Sequence, residues 1–190
     1  MSKPQVRGTE ALNQTHYTVQ DYQNWEDRWE LIRGEAWAMS PAPTTQHQDL
    51  VLSLGSLLAN FLKGKPCQPF VAPTDVYLAD DTVVQPDVLV VCDPAIIVTK
   101  GIIGAPTFVA EVLSDSTANK DLTVKKALYE AHGVQEYWLV FPNDGRVFVF
   151  RKEGPTFGKV QEYLPTDPVP STSLKGFVWE PREILSIGTT

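Results

Sequence analysis

Two carboxylates in this chain stand where apolar side chains would be expected. Asp87 falls within Val83-Val84-Gln85-Pro86-Asp87-Val88-Leu89-Val90-Val91, and Glu111 within Thr107-Phe108-Val109-Ala110-Glu111-Val112-Leu113. Both runs otherwise read as buried β-strand. A charged carboxylate seldom enters such surroundings unless it is paired or coordinates a metal. Two of them, on strands close enough in sequence to be sheet neighbours, point to a divalent-cation site. Carboxylate oxygens are the hard donors that Mg2+ or Mn2+ prefers, and the carbonyl of Val112, fixed beside Glu111 by the strand, offers a further ligand. A cation held there can polarise a phosphate and lower the pKa of an attacking water.

The residues after Glu111 carry a partner for that chemistry. Asp121, Lys125 and Tyr129 are spaced four apart and share one face of an expected helix. Lys125 is a candidate to orient the nucleophile or to stabilise charge developing on phosphate. An exposed i, i+4 pair with Asp121 is the plainer alternative. Tyr129 reads as core more readily than as catalytic. Glu35, His47 and Asp75 are auxiliary candidates. Glu35 could supply an outer carboxylate, and His47 a proton shuttle or a hydrogen bond at a helix start. Asp75 either joins an acidic cluster or merely begins a strand. Ser114 and Ser116 precede a helix and read as capping residues. Gly-x-Ser-x-Gly, P-loop and dinucleotide fingerprints are missing from the sequence.

These side chains need a scaffold. Residues 18 to 28 could form a short helix, with Thr18 and Asp21 at capping spacing. Residues 29 to 39 read as a hairpin turning at Arg33-Gly34, and Ser40-Pro-Ala-Pro-Thr breaks regular structure. A helix is expected over about 45 to 62, where Leu50, Val51, Leu54, Leu57, Leu58, Phe61 and Leu62 make one apolar face before Gly64 and Pro66 stop it. Strands are expected near 68 to 72, 75 to 78, 83 to 91 and 106 to 113, then a helix over about 118 to 132 ending at Gly133. Residues 136 to 141 and 146 to 151 form a hairpin around Pro142-Asn-Asp-Gly145, and the remainder covers the core. The pattern is α+β, a mixed α/β sandwich in a single domain over 1–190.

Composition narrows the class. A chain of 190 residues with 43% hydrophobic and 21% charged side chains is globular rather than disordered. No apolar stretch reaches the roughly 18 residues a membrane helix needs, and no signal-peptide core is evident, so a cytoplasmic protein is expected. Cys67 and Cys92 are too few for a disulfide framework and are expected to stay reduced. The net charge of −7 counts against nucleic-acid binding. Its distribution softens that conclusion: Asp75, Asp80, Asp81, Asp87 and Asp93 lie within 75 to 93 with no Lys or Arg. A bound metal would offset part of that charge.

Gln85-Pro86-Asp87-Val88, Glu111-Val-Leu-Ser114, Ser116-Thr117, Asp121, Lys125, Tyr129, Gly133-Val134 and Glu136-Tyr137-Trp138-Leu139-Val140 together resemble the Uma-type restriction endonuclease family, within the PD-(D/E)XK nuclease superfamily. Glu30-Leu31-Ile32-Arg33-Gly34-Glu35, Met39-Ser40-Pro41, His47 and Leu174-Lys175-Gly176-Phe177 extend the likeness over nearly the whole chain. The resemblance implies a restriction-endonuclease-like central mixed sheet flanked by helices. It also implies a metal-dependent phosphodiesterase with Asp87 and Glu111 as metal ligands. The superfamily lysine would fall at position 113, which here is Leu113; in the Uma-type family it has moved to the following helix, selecting Lys125 over Lys126.

The leading expectation is therefore a Mg2+- or Mn2+-dependent endonuclease acting on DNA. Cutting both strands of a duplex calls for two sites, hence a homodimer. A binding or scaffold protein retaining the nuclease fold, and a hydrolase of smaller phosphoesters, are the alternatives. A positive groove beside Asp87 would favour nucleic acid over both.

Overall fold

The computed structural model describes residues 16–39, 42–114 and 120–181. Ser40, Pro41, Ser116 and the expected helix start at 118 and 119 lie outside them. The first elements are a helical turn, α1 (Val19–Tyr22), capped by Thr18 and Asp21 on each other's backbone, and the hairpin β1 (Trp29–Ile32) and β2 (Glu35–Ala38). Arg33 (φ 51°) and Gly34 (φ 77°) both take left-handed backbone, the geometry of a tight two-residue turn between strands.

The long helix α2 (Thr45–Leu62) falls where the apolar spacing requires it. Its buried stripe, Leu50, Val51, Leu54, Leu58 and Leu62, packs on one sheet face through Val88, Val90, Phe108, Ala110, Val112 and Trp138. Strands β3 (Gln68–Val71), β4 (Val76–Ala79), β5 (Thr82–Val84) and β6 (Val88–Val91) follow. Then come the short hairpin β7 (Ile97–Val98) and β8 (Gly101–Ile103), which the sequence reading left unassigned, and β9 (Phe108–Val112). A π-helical turn (Asp121–Lys125) runs into α3 (Lys126–His132), which ends at Gly133 (φ 88°), a left-handed C-cap. Strands β10 (Glu136–Val140), β11 (Val147–Glu153), β12 (Thr156–Phe157) and β13 (Gln161–Tyr163) follow, and the pair β14 (Val169–Pro170) and β15 (Val178–Trp179) closes the fold.

The strands make two main sheets. One runs β2-β1-β5-β4-β8-β7; the other runs β12-β11-β10-β9-β6-β3, with β13 on β11. In the second, β6 and β9 are antiparallel neighbours and β9 and β10 are parallel, so the sheet is mixed. Alternation along β9 sends Ala110 and Val112 toward α2 and Val109 toward α3 and the first sheet.

Two expectations are corrected. The run 83–91 is two strands in two sheets rather than one, because Pro86 offers no N–H to a ladder. The crossing residues find side-chain acceptors instead: Gln85 N–H reaches Glu30 Oε1 at 2.9 Å, and Asp87 N–H reaches Glu111 Oε2 at 3.4 Å. Cys67 and Cys92 are paired in a disulfide rather than reduced. The β3–β6 register sets Gln68 opposite Val91, so the residues just beyond them face each other with Cα atoms 4.0 Å apart.

The C-terminal segment is anchored by a buried carboxylate. Glu136 Oε2 accepts from Ser171 Oγ (2.9 Å), Thr172 N (2.9 Å) and Ser173 N (2.8 Å), while Oε1 accepts from Trp138 Nε1 (2.8 Å). Glu136→Gln keeps the shape but turns one acceptor into a donor facing other donors. A loss of about 1.5–3 kcal/mol is expected, read from urea midpoints; an unchanged midpoint would show the anchor to be dispensable.

Candidate active site

The crossing from β5 to β6 delivers Asp87 to the start of β6, and β9 delivers Glu111 and Val112 beside it. Asp87 Oδ2 accepts the Val112 N–H at 2.8 Å and lies 3.2 Å from His47 Nε2. In an extended strand the carbonyl of a residue leaves on the same edge as its N–H. The Val112 carbonyl accordingly opens toward Asp87 and His47. His47 belongs to the first turn of α2, where its backbone N–H donates to the capping Thr44 Oγ1 at 3.2 Å. Burial favours the neutral imidazole, but hydrogen bonding to Asp87, the Asp87 charge and the Val112 carbonyl outweigh it and raise the His47 pKa.

Glu111 faces the other way, toward α3. Its Oε1 accepts from Lys125 Nζ at 2.8 Å and from Tyr129 OH at 2.9 Å. Lys125 and Tyr129, one helical turn apart, thus hold the same oxygen, and both are buried. Lys125 Nζ also lies 2.9 Å from Glu30 Oε1 and 3.6 Å from Asp121 Oδ1, with its side chain 5% exposed. The exposed-pair alternative for Asp121 and Lys125 is therefore set aside. Burial disfavours the ammonium, but the charges of Glu111, Glu30 and Asp121 prevail and hold its pKa well above the usual lysine range. Burial, with the charges of Asp121, Asp87 and Glu30, raises the Glu111 carboxyl well above its ordinary range against the pull of Lys125.

Glu30 is the residue that sequence reasoning missed. It is fully buried on β1 and divides its oxygens between Lys125 and Lys120, whose Nζ lies 2.7 Å from Oε2. The signal was available: Trp29-Glu30-Leu31-Ile32 is a carboxylate inside an apolar strand, the same pattern that selected Glu111. Glu35 projects from the face of the β-hairpin that carries Glu30, since it pairs with Ile32. Asp75 is one residue removed from the centre. It accepts from Tyr22 OH (3.0 Å), Tyr77 OH (3.2 Å) and Gln85 Nε2 (2.8 Å), and the Gln85 backbone in turn meets Glu30.

Burial opposes the ionisation of Glu30, but the charges of Lys125 and Lys120 overcome it and lower the pKa from 4.5 to about 2. The unfolded chain protonates near 4.5, so this pairing stabilises the fold fully above that value and is lost as pH falls through about 2. Glu30→Gln is expected to lower the urea midpoint near neutral pH, with the gap to wild type closing on acidification. A gap that stays constant with pH would sink this assignment.

Residues 19–182 match the family described as "Uma2: Putative restriction endonuclease". The chain belongs to this family. A crystal structure from Anabaena variabilis, described as "a putative nuclease belonging to DUF820", matches with a TM-score of 0.74 and 21% identity, over 90% of this chain and 98% of that chain. The likeness confirms the restriction-endonuclease-like α+β fold. No curated protein matches the chain. In this Uma2-family chain, the two strands that bear the paired carboxylates are neighbours in one sheet, and the helix after β9 returns its lysine to Glu111. Among the described residues, no helix is long and apolar enough to cross a membrane, and no three His, Cys, Asp or Glu side chains converge as a preformed metal cage.

Proposed function

We propose that this chain is a divalent-metal-dependent endonuclease that hydrolyses DNA phosphodiester bonds, using Mg2+ or Mn2+, on a single nuclease-like domain. One observation carries the reading: the pattern of occupied and open carboxylate oxygens. Asp87 Oδ2 is engaged by Val112 N–H and His47, and Glu111 Oε1 by Lys125 and Tyr129. Among the described residues, that leaves Asp87 Oδ1 without a hydrogen-bond partner and Glu111 Oε2 engaged only by the long contact to Asp87 N–H. With the Val112 carbonyl, these oxygens form a donor set suited to a hard cation that keeps several waters rather than one needing a full protein cage. When bound, the cation supplies Lewis acidity and an activated water.

The remaining work belongs to the chain's own side chains. Lys125 and Tyr129 fix the rotamer of Glu111, and Lys125 neutralises part of the charge gathered there. His47 Nε2, 3.2 Å from Asp87 Oδ2, holds that carboxylate in place. A homodimer in the cytoplasm would present two such centres to the two strands of a duplex. Cleavage of plasmid DNA with Mg2+ or Mn2+, comparing wild type with Asp87→Ala, tests the proposal; wild-type inactivity on plasmid and oligonucleotide substrates would refute it.

A further inference from the structure

Nucleic-acid affinity comes from Lys and Arg on phosphates, which a chain of net charge −7 must supply locally. Lys125 cannot do so, enclosed as it is by three carboxylates. Two other cations beside the centre are differently placed. Lys120 Nζ makes one ion pair among the described residues, to Glu30 Oε2, and its side chain stays 14% exposed. Because Glu30 also serves Lys125, one carboxylate charge is shared between two ammonium groups. Arg28 is exposed, and its Nη2 donates at 2.9 Å to the neutral amide oxygen of Gln85. Gln85 joins the two cations, since its backbone N–H lies 2.9 Å from Glu30 Oε1.

We propose that Arg28 and Lys120 form a phosphate-binding edge that holds the sugar-phosphate backbone of nucleic acid beside the Asp87–Glu111 centre. This inference rests on the nuclease reading above. Glu30 orients the Lys120 ammonium and, among the described residues, is its single carboxylate partner. Gln85 orients the Arg28 guanidinium and leaves the rest of its planar fork to match phosphate oxygens. Both side chains are held before substrate arrives, which limits the entropy lost on binding. Contacts of this kind position a strand and carry no base information.

The test is fluorescence anisotropy with labelled duplex DNA over a salt series, with Ca2+ replacing Mg2+. The proteins are wild type, Arg28→Gln, Lys120→Gln, the double variant and Lys120→Arg, with melting temperatures verifying that each is folded. Each single Gln variant is expected to weaken binding several-fold and to reduce the slope of log affinity against log salt by about 0.9, the value for one phosphate contact. Lys120→Arg should keep the wild-type slope. A double variant with wild-type affinity and slope overturns the proposal, as does a wild type that binds no DNA. Plasmid cleavage by the same proteins separates the two ideas. Cleavage by wild type that the double variant matches removes the edge and keeps the nuclease. Salt-dependent binding that the double variant loses, with no cleavage by any protein, keeps the edge and removes the nuclease activity.

Discussion

Asp87→Asn is expected to lower DNA cleavage by at least about 10³-fold, the scale set by losing several kcal/mol of transition-state charge stabilisation. The substitution is a stringent one. An asparagine keeps the side-chain volume and an oxygen able to accept the Val112 N–H that Asp87 Oδ2 accepts at 2.8 Å. What disappears is the carboxylate charge and the second oxygen, which an amide NH2 replaces. Calorimetric titration with Mn2+ gives an independent reading, because Glu111→Gln should abolish binding that wild type displays. Turnover of Asp87→Asn within about tenfold of wild type, at equal protein stability, would remove Asp87 from the centre.

Lys125→Met should cost about 3–5 kcal/mol of folding stability, the range for removing one member of a buried ion pair. Methionine fills similar space but leaves Glu30, Glu111 and Asp121 facing each other without their shared cation. Lys126 is the internal control. Its ammonium lies 3.9 Å from Glu130 on a partly exposed surface, where a pair is worth at most about 1 kcal/mol. Urea midpoints of the two variants should therefore differ widely. A double variant that also carries Glu30→Gln should recover part of the loss, because the two side chains are in contact. Similar midpoints for Lys125→Met and Lys126→Met would contradict the buried cluster. The consequence for function is direct: the activity of any Lys125 variant has meaning only where the variant is shown to be folded.

The parts of the fold legible in the sequence were those with strong periodicity. Helix α2 ends where its apolar stripe and the following Gly64 and Pro66 dictate, and Arg33-Gly34 turns a hairpin because both residues can take left-handed backbone. The strand neighbourhood of Asp87 and Glu111 was legible from two carboxylates set in apolar runs close in sequence. The split of 83–91 between two sheets was hidden, because Val83-Val84 and Val88–Val91 are equally apolar and only Pro86 marks the break. Glu30 carried a legible signal, a carboxylate in an apolar strand, but its partners did not: Lys120 and Lys125 lie about ninety residues away, and no local pattern announces them. The Cys67–Cys92 pairing was equally non-local, set by the β3–β6 register.

The closing pair β14–β15 bears on how the chain is made. Leu174, Phe177 and Trp179 pack in the same apolar cluster as α2 and Trp138, and the buried Glu136 carboxylate finds most of its donors in Ser171, Thr172 and Ser173. During synthesis, α2 and the first six strands emerge from the ribosome well before these residues do. Until they emerge, α2 covers its sheet face without Leu174, Phe177 and Trp179, and Glu136 lacks those donors. Closure of this face therefore waits on residues 171–179. A ribosome stalled before residue 171 would present an apolar surface that a chaperone such as a nascent-chain holdase should bind.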